Sequence, residues 1–84
     1  MLGLTVSLQP NPTSGLVFLK FSAPSPEAME VIIFAANGIR LQNQRIAPGS
    51  TSATFDLSEY PAGVYWVKLK ADKAVLTEKI ILEK

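Results

Sequence analysis

The 84-residue chain contains no cysteine and no histidine. Without these residue types it cannot form a disulfide, an ordinary zinc site, a catalytic thiol or a Ser-His-Asp triad. It also lacks an excess of charge of either sign, because eight basic and seven acidic side chains leave a net charge of +1. This net charge provides no broad field for attracting nucleic acid or an anionic membrane.

Long hydrophobic runs are missing as well. No apolar stretch approaches the roughly 20 residues needed to cross a bilayer, and the N-terminus lacks the basic and hydrophobic regions of a signal peptide. What the chain does have is a 48% share of hydrophobic residues, in a length that suffices for one domain. We therefore expect a single folded domain over residues 1–84, too small for a deep catalytic cleft.

Apolar residues recur with the two-residue period of half-buried strands. Loops rich in proline, glycine and asparagine separate these segments, and no stretch has a sustained helical period. The seven predicted strands cover residues 4–8, 16–21, 30–35, 39–46, 52–57, 64–71 and 75–82. Regular strand spacing without helices predicts an all-β fold, a seven-stranded antiparallel immunoglobulin-like β-sandwich with Greek-key connections.

Several turns carry recognisable signatures. Asn37-Gly38 between two strand-like segments predicts a β-hairpin, and the polar outer side of the strand that follows predicts an edge position. Gly15, Gly38 and Gly63 each lie where the backbone must turn sharply. Tyr65, near the start of a central strand, matches the tyrosine corner of immunoglobulin-like folds, in which the hydroxyl hydrogen-bonds to the preceding loop.

Carboxylates are the remaining candidates for catalysis. Asp56 and Glu59 lie three residues apart across a strand end and a turn, and a carboxylate pair can perform acid–base chemistry. Asp56 and Ser58 are also residue types that bond to backbone amides in turns, and no nucleophile or metal ligand accompanies them. We therefore expect no catalytic residue, no metal site and no cofactor, and we do not expect an enzyme.

Trp66 alternates with Lys68 and Lys70 on one face of a predicted strand. An aromatic ring among basic residues, with Lys20 as a further candidate, resembles a platform for single-stranded nucleic acid. The near-neutral chain and its single tryptophan favour a solvent-facing sheet surface on which lysine stems cover the indole. We thus expect no nucleic-acid partner, although an exposed Trp66 would also suit a sugar-binding or protein-binding patch.

Three segments together identify a family. Residues 10–15, PNPTSG, follow the first strand, and the apolar residues 31–34 precede the Asn37-Gly38 hairpin. Residues 57–65, LSEYPAGVY, lead into the long strand before the terminal EKIILEK of residues 78–84. In this order, over about residues 4–84, they resemble the C-terminal sorting domain of the type IX (Por) secretion system. Gln9 and Ala35 depart from that pattern, where an aromatic residue and an aspartate are common.

The resemblance implies a role in export. Members lie at the C-terminus of larger proteins, and the outer-membrane translocon recognises the folded domain and exports the passenger that precedes it. In many members a surface sortase cleaves before the domain and attaches the passenger to an anionic lipopolysaccharide, whereas in others the domain is retained. The resemblance thus implies transit through the periplasm, followed by display on the cell surface or release.

The expected recognition residues are those of the shared motifs. They are Pro10, Asn11, Pro12, Gly15, Gly38, Gly63, Tyr65, Lys79, Ile80, Ile81, Leu82, Glu83 and Lys84. We hypothesise that residues 79–84 and the nearby hairpin form the recognition element, which a partner reads by β-augmentation and side-chain pockets. The main alternative is an immunoglobulin-like binding or adhesion module centred on Trp66. An apolar edge strand would also allow dimerisation.

Overall fold

A computed structural model describes residues 5–10, 12–71 and 75–84 of the chain. These residues form seven strands, whose bounds lie within two residues of those predicted. The strands are β1 (Val6–Gln9), β2 (Leu16–Phe21), β3 (Met29–Ala35), β4 (Arg40–Ile46), β5 (Ser52–Asp56), β6 (Gly63–Lys70) and β7 (Val75–Leu82). Leu4, which was expected in the first strand, and the turn predicted at Asp72-Lys73 lie outside the described residues.

The strands form two antiparallel sheets. One has three strands in the order β1-β2-β5, and the other has four in the order β4-β3-β6-β7. The chain passes from one sheet to the other between β2 and β3, between β4 and β5, and between β5 and β6. This is the predicted Greek-key sandwich, and β4 lies at the predicted edge.

The core lies between the sheets and follows the strand alternation. On β6, Tyr65, Val67 and Leu69 are buried, while Trp66 and Lys70 are exposed, as the two-residue period predicted. The largest fully buried side chains come from both sheets and from the loop after β5: Val17, Leu19, Val31, Ile33, Leu57, Leu69, Ile80 and Leu82. Burial of each contributes about 1.5–3 kcal/mol before the cost of ordering the chain.

Strand register divides the loops between two ends of the sandwich. Gly63 lies opposite Leu82, Tyr65 lies opposite Ala35, and Leu16 lies opposite Asp56. The loops 10–15, 36–39 and 57–62 and the terminal residues 83–84 therefore share one end, which we call the motif end. The loops 22–28 and 47–51 share the opposite end, which we call the loop end.

Candidate functional site

The motif end brings together segments that are far apart in the sequence. The backbone N–H of Leu57 donates to the carbonyl oxygen of Gly15 at 2.9 Å, which joins the first motif loop to the turn before β6. The Lys84 ammonium donates to the carbonyl oxygen of Ser58 at 2.7 Å, which joins the chain's last residue to the same turn. The first and third of the segments that carry the family resemblance thus meet at one end of the fold.

Thr13 connects the loop before β2 to the end of β7. Its N–H donates to the Ile81 carbonyl, and its own carbonyl accepts from the Glu83 N–H, both at 2.8 Å, in a parallel bridge with β7. Its hydroxyl donates to the Leu16 carbonyl at 2.6 Å and accepts from the Gly15 N–H at 3.1 Å. Thr13 was not among the expected site residues, because a threonine beside a proline in a loop predicts only local turn chemistry.

The Thr13 bridge limits how a partner can read the terminal strand. In the hypothesised β-augmentation, an incoming strand would pair with the exposed edge of β7. Between Ile81 and Glu83 that edge is already paired with Thr13. A partner would have to displace Thr13 to add a strand there, so we expect recognition of this part of β7 through side chains.

Gly15 permits a close approach between two motif loops. A Cβ atom at this position would lie 3.2 Å from the Ser58 Cβ, which is tighter than ordinary van der Waals contact. Glycine therefore lets the loop before β2 lie against the turn after β5. The position is buried, so its contribution to the site is to shape the surface, not to offer a side chain.

The turn after β5 is held by Asp56. Hydrogen bonds from the hydroxyl and the backbone N–H of Ser58 lower the pKa of the exposed Asp56 carboxyl below its ordinary value. The N–H bond measures 2.9 Å. The predicted turn role of Asp56 is confirmed, and a carboxylate engaged in this way is stabilised in its charged form rather than prepared to exchange a proton.

The hydrogen bond predicted for the tyrosine corner is present. The buried Tyr65 donates its hydroxyl to the carbonyl oxygen of Pro61. Its ring lies 6.0 Å from the ring of Tyr60, and Gln42 Nε2 donates to the Tyr60 hydroxyl at 3.1 Å. These contacts link the turn before β6 to β4 and hold the loop at the motif end in one shape.

The Asn37-Gly38 hairpin also forms as predicted. Ala35 and Ile39 pair through an N–H to carbonyl bond of 2.9 Å, and Asn37 Oδ1 accepts from the Ile39 N–H at 3.1 Å. Gly38 has φ of +89°, a left-handed conformation that side-chain-bearing residues rarely adopt. The hairpin therefore presents a fixed backbone turn at the motif end.

Two shallow grooves mark the surface of the motif end. The larger has a volume of about 420 Å³ and is lined by Pro10, Thr13, Ser14, Gly15, Leu16, Phe18, Asp56 and Ser58. Leu16 and Phe18 in its wall are 51% and 40% exposed. The smaller, of about 280 Å³, lies between the hairpin and the turn before β6. Open grooves lined by loops suit the side chains of a protein partner better than an enclosed small molecule.

The structure divides the expected recognition residues by accessibility. The exposed positions are Pro10, Pro12, Gly38, Gly63, Lys79, Glu83 and Lys84. The buried positions are Gly15, Tyr65, Ile80 and Leu82, and Ile81 is half-buried. The buried set supports the fold, so only the exposed set is accessible for direct contact with a partner. Asn11 lies outside the described residues.

The described residues offer no group of three or more metal-ligating carboxylates. Within the same part of the chain, no helix has the length and hydropathy needed to span a membrane. The features that remain at the motif end are its shape, its two grooves and its exposed polar groups.

Comparison with known proteins identifies a family and a fold. A family model described as the secretion system C-terminal sorting domain matches residues 7–83. The crystal structure of a DUF3244 family protein from Bacteroides vulgatus, with an immunoglobulin-like β-sandwich fold, superposes with a TM-score of 0.70. The two chains share 21% sequence identity over 95% of this chain and 94% of the other, which supports the predicted fold. No curated protein matches the chain.

Proposed function

The chain belongs to the C-terminal sorting domains of the type IX secretion system, and we propose that it directs an upstream passenger protein across the outer membrane. The translocon of that system reads the folded domain after the passenger has reached the periplasm. As in many members of the family, a surface sortase then cleaves before the domain and anchors the passenger at the cell surface, or, as in others, the domain is retained. The domain itself performs no chemistry in these steps.

The observation that carries the proposal is the convergence of the family motifs at one end. The loops after β1, β3 and β5 and the residues after β7 fall at the same end because successive strands run in opposite directions. Here the PNPTSG loop, the turn before β6 and the terminal residues are joined by hydrogen bonds, and the hairpin lies at the same end. Such a surface has the same shape whatever passenger precedes it, which a general export label requires.

Within the motif end we assign two roles. Gly15, Tyr65, Ile80 and Leu82 set the shape from inside, and Thr13 ties the loop to β7. The exposed residues at this end, Pro10, Pro12, Gly38, Gly63, Glu83 and Lys84, provide the contacts, together with the groove walls at Leu16 and Phe18. Lys79, which is also exposed, provides a contact further along β7, opposite Trp66. Because β7 is already paired at this end, the translocon recognises side chains and the grooves.

The second candidate function is an immunoglobulin-like binding or adhesion module. The observation that favours it is Trp66, which is 38% exposed on the outer face of the four-stranded sheet, away from the motif-end grooves. Under this alternative the domain would bind its target without exporting a fused protein. Export of a reporter therefore separates the two functions.

Dimerisation through an edge strand stays a prediction, which sedimentation at two protein concentrations would check.

The test fuses residues 1–84 behind a reporter that carries its own periplasmic signal, in a type IX-competent cell. One variant removes exposed apolar groups at the motif end, Pro12→Ser with Leu16→Ser. The matched control makes the same kind of change, from an exposed apolar residue to serine, at the loop end, Pro24→Ser with Pro48→Ser. Circular dichroism melts of the isolated domains establish that both variants fold.

We expect the wild-type and control fusions to reach the cell exterior and the motif-end variant to accumulate in the periplasm. A translocon-deficient strain should retain all three. Retention of the wild-type fusion in competent cells would refute the sorting function. Equal export of both folded variants would show that the exposed groups at the motif end are not what the translocon reads.

A further inference from the structure

On the outer face of the four-stranded sheet, one row across the strands places two aromatic residues between two basic residues. Trp66 on β6 lies opposite Lys79 on β7 and opposite Phe34 on β3, and Phe34 lies opposite Arg40 on β4. Two aromatic rings thus occupy the two inner strands, and a cation occupies each edge strand. A register irregularity between Ile33 and Phe34 brings Arg40 into this row.

The neighbouring rows add further positive charge. Lys68 lies opposite Ile32, and Glu30 lies between Lys70 on one side and Arg45 on the other. Among the strand residues that the structure describes on this face, five are basic and one is acidic. The face, which we call the outer basic face, comprises Glu30, Ile32, Phe34, Arg40, Asn43, Arg45, Val64, Trp66, Lys68, Lys70, Val75, Thr77, Lys79 and Ile81.

Charge is therefore segregated on a nearly neutral chain. The outer basic face carries a formal charge of +4, whereas the chain as a whole carries +1. The three other basic and six other acidic residues leave −3 for the rest of the sequence. The single carboxylate of the face, Glu30, accepts a hydrogen bond from Asn43 Nδ2 at 3.1 Å. The outer basic face therefore produces a local positive field, although the net charge of the whole chain is only +1.

The distribution of apolar groups on this face matches that of a protein interface. Trp66 and Val64 on β6 are 38% and 37% exposed, so both offer apolar surface to a partner. Four of the five cations, Lys70, Lys79, Arg40 and Arg45, lie on the perimeter. An apolar and aromatic centre within a charged rim is the usual anatomy of a protein–protein contact.

We infer that the outer basic face is a docking surface for an acidic surface of a partner protein. The charge of the face favours a negative partner, and a groove of about 360 Å³ lined by Glu30, Arg45 and Lys70 is open to a protein side chain. At about 4.8 Å between strands and 3.4 Å per residue, the face covers on the order of 400 Å². A standard interface buries about 800 Å² per partner, so we expect weak and rapidly reversible binding.

A docking surface of this kind has a function in export. Complementary charge raises the association rate of two proteins more than it lowers their dissociation rate. Such binding suits a sorting domain that must first bind the secretion machinery and then dissociate from it. The inference rests on the proposed function only in placing the partner within the secretion machinery. The physical claim, that this face binds acidic protein, stands apart and can be tested on the isolated chain.

The first experiment titrates the 84-residue chain with poly-L-glutamate and follows the fluorescence of Trp66, its only tryptophan. The test variant is Lys68→Glu, and the matched control is Lys20→Glu. Both lysines lie at outward positions on strands that have a neighbour on each side, and Lys20 belongs to the other sheet. Far-UV circular dichroism of both variants checks the fold.

We expect the wild-type fluorescence to change on binding, and Lys68→Glu to weaken that binding about tenfold while Lys20→Glu has little effect. Raising the salt concentration from about 0.01 to 0.1 M shortens the screening length from about 30 to 10 Å and should weaken it further. Equal losses in the two variants would overturn the inference. So would tighter binding, at equal charge concentration, to dextran sulfate, to single-stranded DNA or to phosphatidylglycerol vesicles.

The second experiment places the same two variants in the reporter fusion. We expect the Lys68→Glu fusion to leave the periplasm more slowly than the Lys20→Glu fusion. If the wild-type fusion is retained, the sorting function has failed. If the wild type is exported and both variants match it, the sorting function holds and the role of the outer basic face in export is refuted.

Discussion

The two ends of the sandwich are each built around one buried polar side chain, and they differ in what that side chain connects. Thr13 at the motif end is 2% exposed and Ser25 at the loop end is 3% exposed, and they are the buried polar residues of the described chain. Ser25 donates its N–H to the Ser50 carbonyl at 2.8 Å and accepts from the Gly49 N–H at 2.7 Å. Its hydroxyl donates to the Glu27 carbonyl.

Both residues use their backbone to join two segments and their hydroxyl to hold their own loop. Ser25 joins the loop before β3 to the loop before β5, with 24 and 25 positions between the bonded residues, against 68 between Thr13 and Ile81. Thr13 joins a loop of the three-stranded sheet to the last strand of the four-stranded sheet. The motif end therefore takes its shape only when the loop after β1 and the last strand are both in place.

The largest test of this difference removes the terminal segment. Deleting residues 79–84 removes Ile80 and Leu82, which are fully buried, and the β7 partner of Thr13. Loss of each large buried side chain costs about 2–5 kcal/mol, and a domain of this length has on the order of 4–13 kcal/mol of stability in all. We expect no cooperative thermal transition by circular dichroism at 25 °C and above.

The matched control deletes Glu83 and Lys84 alone. This change removes the Glu83 bond to Thr13 and the Lys84 bond to Ser58 but keeps the buried residues of β7. We expect a cooperative transition at a lower temperature than in the wild type. A cooperative melt of the longer deletion would show that β7 does not support the fold as described. An unfolded deletion also means that its failure in export would say nothing about recognition.

The next test compares the two buried hydroxyls. Thr13→Val keeps the side chain's shape and removes the hydroxyl that donates to the Leu16 carbonyl and accepts from the Gly15 N–H. Ser25→Ala removes one hydrogen bond, to the Glu27 carbonyl. A buried group left without its partner costs about 1–3 kcal/mol. We expect chemical denaturation to report a loss of about 2 kcal/mol for Thr13→Val and about 1 kcal/mol for Ser25→Ala. A larger loss at Ser25 would reverse the comparison.

The strands and turns could be predicted from the sequence because their causes are local. The alternation around Trp66 placed Lys68 and Lys70 on its face, and Asn37-Gly38 indicated the hairpin. The Tyr65 hydrogen bond followed from a turn a few residues upstream. Each of these signals depends on neighbouring residues, which a single sequence displays directly.

The Thr13 bridge and the outer basic face could not be predicted in the same way. Both depend on which strands become neighbours and in what register. Periodicity gave no indication that Arg40 would share a row with Trp66, since that needs β3 between β4 and β6 and the irregularity at Phe34. The edge of β7 that accepts Thr13 is likewise defined only by the finished sheet.

A smaller effect is expected from the tyrosine corner. Tyr65→Phe removes the hydrogen bond to the Pro61 carbonyl and keeps the buried ring and its contact with Tyr60. One such bond contributes about 1 kcal/mol. We expect that loss in denaturant titrations, with the loop end unaffected in amide hydrogen exchange and the amides of Tyr60, Ala62 and Gly63 exchanging faster. Unchanged exchange at those amides would show that the corner bond does not hold the motif-end loop.

The smallest effect is electrostatic and confined to the motif end. Because Ser58 lowers the pKa of Asp56 in the folded state, the charged carboxylate stabilises the fold above the unfolded pKa of about 3.9. That contribution is lost as the pH falls through the lower folded pKa. Asp56→Asn retains an oxygen that can accept from the Ser58 N–H but has no charge. We therefore expect the variant to be slightly less stable than the wild type at pH 7, with the two converging in acid.

Ser58→Ala provides the control that assigns this pH dependence to its cause. The variant lacks the hydroxyl that donates to Asp56 and keeps the backbone N–H, so the Asp56 pKa should rise partway towards its ordinary value. In that background the difference between Asp56 and Asn at pH 7 should shrink without vanishing, as measured by urea midpoints across the acid range. If the difference is unchanged, the Ser58 hydroxyl is not the cause, and the pH dependence arises from the charge environment of the whole motif end.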